Sequence, residues 1–134
     1  MKQDLSKSLS NPERKALLEA LKKGLQPQLR LKPQLVVKQL MLKEGFAYFV
    51  GQVKNGEGKS IDFTKTAYKD EVEAGLFDGD NTNALLKKVA GRWKLLVFTI
   101  GPTDVPWGCW WKEYKAPKEI FDYAEKDCSY ASNN

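Results

Sequence analysis

Nine residues, Thr103-Asp104-Val105-Pro106-Trp107-Gly108-Cys109-Trp110-Trp111, hold three of the chain's four tryptophans, one carboxylate and one of its two cysteines. Indoles at this density have two uses. Buried, they close a core. Left partly wet, they form a platform for a ligand or a partner, since tryptophan is enriched at interface hot spots. On the second reading the contact surface is Asp104, Trp107, Trp110, Trp111 and Tyr114, with the rings giving apolar area and Asp104 a directional acceptor. Asp104 also admits a catalytic reading. Buried in the loop, its carboxyl would be pushed up and could trade protons, provided folding brought Asp62, Glu71 or Glu113 close as a second acid. The plainer alternative is a turn cap that accepts from the amides of Trp107 and Gly108.

Cys109 and Cys128 are the only cysteines. Their spacing suits a disulfide that ties the C-terminal segment to the Trp loop, stabilising by about 3 kcal/mol on the loop-entropy estimate. Such a bridge implies an oxidising compartment; two free thiols are the alternative. The chain has no histidine. That excludes a Ser-His-Asp triad and the usual general base near neutral pH. Two cysteines without histidine do not complete a Cys/His zinc site. No metal site and no cofactor is expected, and the P-loop, dinucleotide and G-x-S-x-G patterns are absent from the sequence. Asp78, Asp80 and Thr82 alternate like the first ligands of a calcium loop. However, Asn83 stands where such a loop needs glycine and Val89 where it needs the bidentate glutamate, so an acidic turn is the expectation.

Charge divides the chain. Residues 1–60 carry 12 Lys/Arg against 5 Asp/Glu, and residues 61–134 carry 10 against 12. Lys15, Lys22, Lys23, Lys38 and Lys43 are therefore candidates for an anion-binding face. A single-strand nucleic-acid platform on Phe46, Tyr48 and Phe49 is disfavoured, because these rings alternate in direction with few cations beside them.

The elements that must position the loop follow from periodicity. At 134 residues, 42% apolar and 29% charged, the chain fits one globular domain. No apolar run reaches the roughly 20 residues of a membrane helix. Asn11-Pro12-Glu13 opens a helix whose face is Ala16, Leu17, Ala20 and Leu21, with Gly24 as its natural stop. Two hairpins follow, Gln34 to Val53 and Leu85 to Ile100, the second turning at Ala90-Gly91. In its last strand, strict alternation puts Trp93, Leu95, Val97 and Thr99 on one side. Thr66 caps a short helix in between. A last helix over 117–126 faces inward with Ile120, Phe121 and Ala124. The expected fold is α+β: an N-terminal helix on a curved antiparallel sheet of about four strands, with a C-terminal helix. Residues 1–10 are read as a flexible arm, 11–128 as the domain and 129–134 as a flexible tail.

This element order resembles cystatin-like and NTF2-like α+β rolls, scaffolds that host inhibitors, binders and enzymes. The run FDGDNTNALLKK, GRWKLLVFTIGPTDVPW and YKAPKEIF, with NPERKALLEAL before it, resembles a group of small bacterial proteins, often exported, of uncharacterised function. The resemblance implies a bacterial origin and an exported state and carries over no catalytic residues. MKQDLSKSLS lacks a signal-peptide core, so a periplasmic or secreted reading requires a leader ahead of this numbering; a cytoplasmic protein is the alternative. Three readings of function result. The first is an exported non-enzymatic binding domain, for instance an inhibitor or immunity-type protein, that holds a protein or small ligand on residues 103–114. The second is an NTF2-like enzyme with carboxylates in a pocket. The third is an anion-binding module. The chain is expected to act as a monomer or homodimer.

Overall fold

Asn11 starts the first helix by accepting from the amides of Glu13 at 2.8 Å and Arg14 at 3.1 Å. In the computed structural model, which describes residues 2–128, this helix, α1, spans Pro12–Leu29. Leu17, Leu21, Leu25 and Leu29 recur every fourth residue and are all buried. That ladder carries the helix past Gly24, where the sequence pointed to a stop, and past Pro27. Pro27 removes one donor from the last turn, while burying Leu25 and Leu29 contributes roughly 1.5–3 kcal/mol each. Arg30, in the left-handed region at φ 59°, ends the helix instead. Gly24 serves packing: a Cβ there would stand 2.6 Å from Leu95 Cδ2.

The sheet has five antiparallel strands: β1 (Gln3–Asp4), β2 (Gln34–Lys43), β3 (Phe46–Lys54), β4 (Asn81–Val89) and β5 (Arg92–Ile100), in spatial order β1-β2-β3-β4-β5. The fifth strand comes from the segment read as a flexible arm. Gln3 pairs with Leu42 and Asp4 with Met41, and Leu5 is buried in the core, its carbonyl held by Arg14 Nε at 2.9 Å. One leucine in a polar stretch is enough to anchor that stretch on the sheet edge. The tail at 129–134 lies outside the described residues.

Two bulges interrupt the ladders. On β2 the pairing steps from Val37 opposite Gly51 to Gln39 opposite Val50, which leaves Lys38 extra. The close approach there requires glycine at 51, because a Cβ would meet the Val36 carbonyl oxygen at 2.0 Å. On β5 the pairing steps from Leu85 opposite Val97 to Leu86 opposite Leu95, which leaves Leu96 extra. Each extra residue resets the alternation. Trp93, Leu95 and Phe98 thus pack with α1, whereas Leu96 and Val97 pack on the other face, which corrects the single Trp93-to-Thr99 face expected from the sequence.

The sheet is covered on both faces. On one, the α1 leucines meet Leu40, Phe49 and Leu86. On the other, Met41, Phe46, Tyr48 and Leu85 meet Trp110, Ala116 and Ile120 of the C-terminal segment. That segment contains a 3-10 turn at Pro106–Cys109, the short helix α3 (Trp110–Glu113) and a 3-10 turn at Lys118–Ile120. The helix expected over 117–126 is reduced to that last turn. Ile120 is buried, Phe121 lies with its ring centroid 4.6 Å from that of Tyr48, and Asp122 bonds the Tyr48 hydroxyl. The helix stops there because Phe121, at φ −89° and ψ 146°, is extended and carries the chain off the helical path. Between β3 and β4 the chain makes a 3-10 turn (Phe63–Lys65) and the helix α2 (Lys69–Glu73), with Thr66 Oγ1 accepting from the Tyr68 amide at 3.1 Å.

Candidate functional site

The Trp loop leaves β5 at Gly101 and folds back over the second face of the sheet, where a cleft of about 360 Å³ opens. Val50 and Asn83 of the central strands line it, together with Asp104 and Trp107 of the loop, Lys38 of β2 and Asp122 of the C-terminal strap. Asp78 and Thr103 stand at the same opening. Lys38 is the bulged residue of β2, so the irregularity that breaks the ladder also supplies a lysine to the cleft lining.

Beneath the cleft runs a short polar chain. The Tyr48 hydroxyl donates to Asp122 Oδ1 at 2.8 Å and accepts from Asn83 Nδ2 at 2.6 Å. Tyr48 is fully buried and Asn83 nearly so. Burial first, then the Asp122 charge, pushes the Tyr48 hydroxyl far above its ordinary value. It is therefore a fixed donor to Asp122, which leaves the other Asp122 oxygen for a ligand. Trp107 Nε1 and Thr99 Oγ1 are buried without a hydrogen-bond partner among the described residues. An unpaired buried donor costs about 1–3 kcal/mol, so Trp107 Nε1 gains if an acceptor arrives.

Of the five residues singled out from the sequence, two line this cleft. Asp104 and Trp107 line the cleft. Trp110 is buried, its ring edge-on to Tyr48 at 6.5 Å between centroids, and belongs to the core. Trp111 Nε1 donates to the Glu125 carbonyl at 3.0 Å while Lys118 covers its ring at 4.0 Å, so this indole pins the strap. Tyr114 packs against the same core cluster, and partial burial followed by the Glu113 charge raises its hydroxyl. Asp104 is exposed, and the turn amide at Gly108 bonds the Val105 carbonyl at 3.2 Å, so the side-chain cap expected from Asp104 is not made to that amide. Glu71 joins Asp104 around a second depression of about 340 Å³. Asp62 instead caps its own turn through the amide and hydroxyl of Thr64, which hold its carboxyl below the ordinary value.

Cys109 and Cys128 are joined by a disulfide across 19 positions. Glu125 lies with them in a group whose ligand atoms fall within 4.8 Å of one another, but bonded sulfurs offer no thiolate to a metal. Asp80 receives Lys54 Nζ at 2.6 Å and Gln52 Nε2 at 3.0 Å, bonding side chains of β3 rather than the backbone of its own turn as the sequence suggested. Phe46, Tyr48 and Phe49 are all buried and present no stacking platform. No family model, no curated protein and no solved structure matches this chain.

Of the other cleft residues, Lys38 was picked out from the sequence only for an anion-binding face, and Asn83 and Asp122 were not picked out as site residues. Lys38 left a trace, because with Gln39 it breaks the apolar run LVVKQLML, whereas Asn83 is one of two asparagines in the polar opening NTN of β4. Asp122 left none, since it sat on the solvated side of a helix that does not form.

Proposed function

We propose that this chain is an exported, non-enzymatic binding domain that holds a small polar ligand carrying an amine in the cleft beside Trp107. The composition of that cleft supports the reading. Three carboxylates, Asp78, Asp104 and Asp122, face one lysine, Lys38, in a protein of net charge +5. An ammonium group gains from those carboxylates and from the Trp107 ring, a contact of about 0.5–2 kcal/mol. A volume near 360 Å³ lies in the range of small-ligand sites. The disulfide supports export. A partner protein that inserts a Lys or Arg side chain would use the same chemistry, which keeps the inhibitor or immunity-type version within this reading.

The enzyme reading is weaker. All three cleft carboxylates are exposed, and Tyr48, Leu85 and Trp110 fill the space behind them. The anion-binding reading is not carried by this cleft, where Lys38 stands among the carboxylates, and Lys22 and Lys43 are engaged by Glu19 and Glu119.

Calorimetry with arginine, a diamine and a neutral monosaccharide tests the reading. Binding is expected for the amines only, weakened about tenfold by Trp107→Ala and by Asp104→Asn, in line with a loss near 1.4 kcal/mol. Amine affinity that ignores both variants ends the proposal. Thiol titration of protein taken from its source cells under denaturing, alkylating conditions tests export, and two free thiols would remove it.

A further inference from the structure

On the opposite side of the molecule, α1 and β5 enclose a larger groove of about 910 Å³. We propose that this groove receives an extended acidic segment of a partner polypeptide, which adds to the sheet along Arg92–Leu95. β5 ends the sheet and bonds only to β4, and no other backbone group among the described residues bonds to Arg92–Ile100. A free edge of this kind is a template for strand addition, with main-chain bonds giving affinity and alternate side chains giving choice.

The groove beside that edge has an apolar floor and a basic rim. Ala16, Ala20 and Gly24 line it from α1, and Trp93 and Leu95 from β5. Trp93 Nε1 is buried with no partner among the described residues. Lys23, Lys32, Arg92 and Lys94 also line it, and its two acids are already engaged: Glu13 by Lys88 at 2.9 Å, Glu19 by Lys22 at 3.8 Å and by Lys32 at 3.4 Å. Lys23, Arg92 and Lys94 make no ion pair among the described residues. Lys94 stands directly opposite Lys87 in the ladder, and Lys87 lies over Phe46 on the other sheet face, so this like-charge pair would be relieved by acidic side chains that alternate with the apolar ones entering the groove.

These features choose the occupant. A second copy pairing β5 on β5 about Trp93 would set Arg92 and Lys94 against themselves. A bilayer is flat and cannot reach the floor of a groove. A narrow acidic chain with alternating apolar residues meets the edge, the floor and the rim together. The bulge at Leu96 sets the length, because the straight edge beside the groove ends at Leu95.

The test uses a fluorescein-labelled, acetylated octapeptide alternating glutamate and valine, titrated with the full chain at low salt and followed by anisotropy, together with amide exchange. Saturable binding is expected, weakened at least tenfold by Arg92→Glu/Lys94→Glu and, separately, by Lys23→Glu, with slower exchange at Arg92–Leu95 in the complex. All three residues are exposed, and an unchanged thermal midpoint confirms that the variants fold. No saturation below about 1 mM, affinity unmoved by these variants, or protection confined to other strands would overturn the proposal. So would phosphatidylglycerol vesicles binding the chain where the peptide does not, or a sedimenting dimer that the Arg92→Glu/Lys94→Glu variant dissolves.

Discussion

The two faces of the sheet are covered in opposite ways. One carries an 18-residue helix, capped at its start by Asn11 and laid down by a leucine at every fourth position. The other carries a C-terminal segment of short turns whose longest α-helix is Trp110–Glu113. The helix satisfies its backbone internally and needs only an apolar stripe to dock. The irregular cover has no such economy. It relies on large rings (Trp110 and Phe121 against Tyr48), on single polar contacts such as Trp111 to the Glu125 carbonyl, and on one disulfide. What it gains is a concave surface: the cleft opens on this face, where Trp107 and Asp122 reach it from separate turns. Regular structure gives cohesion, and irregular structure places unlike groups side by side.

This contrast can be broken first on the helix side. Leu21→Ala removes a fully buried side chain between helix and sheet, and should lower unfolding stability by about 4 kcal/mol in denaturant titration. Removing the bridge with Cys109→Ser/Cys128→Ser should cost about 3 kcal/mol for its 19-position span. The sharper readout is local: amides of residues 106–128 should exchange faster while those of α1 keep their protection. Equal acceleration on both faces would show that the covers are not separable units.

Tyr48→Phe leaves the Asn83 amide and the Asp122 carboxylate without the hydroxyl between them, and should cost about 1–2 kcal/mol. The same variant carries a pH signature. The folded chain holds the Tyr48 hydroxyl neutral well above the unfolded value of 10.0, so this stabilisation is complete below pH 10 and is lost as pH rises beyond it. Urea midpoints from pH 8 upward should fall above pH 10 in the wild type and fall less in Tyr48→Phe. The smallest effect is expected at the helix cap, where Asn11→Ala should cost about 1 kcal/mol in the same titration and leave the C-terminal face untouched.

Legibility follows the same divide. Asn11-Pro12 and the repeating leucines announced α1, and the Ala90-Gly91 turn announced the second hairpin, because caps, periods and turns depend on near neighbours in sequence. The end of the helix was misjudged at Gly24, whose absent side chain answers to Leu95, more than 70 positions away in the chain. The bulges at Lys38 and Leu96 gave no local sign, since a ladder's register depends on both of its strands. In the site, Asp104 and Trp107 were legible as an unusual loop, whereas Asn83 and Asp122 were not.

By itself the sequence determined a capped amphipathic helix, antiparallel hairpins, an indole-rich turn after the last strand, a pair of cysteines placed to join, and no histidine for catalysis. Each is a matter of residue type or of spacing within a few turns of chain. Only the tertiary structure decided which indole is core and which lines a cleft, that Tyr48 sits between Asn83 and Asp122, and that β5 is left with a free edge beside a basic groove. Those outcomes depend on distances between residues far apart in sequence, set when both faces of one sheet are buried at once.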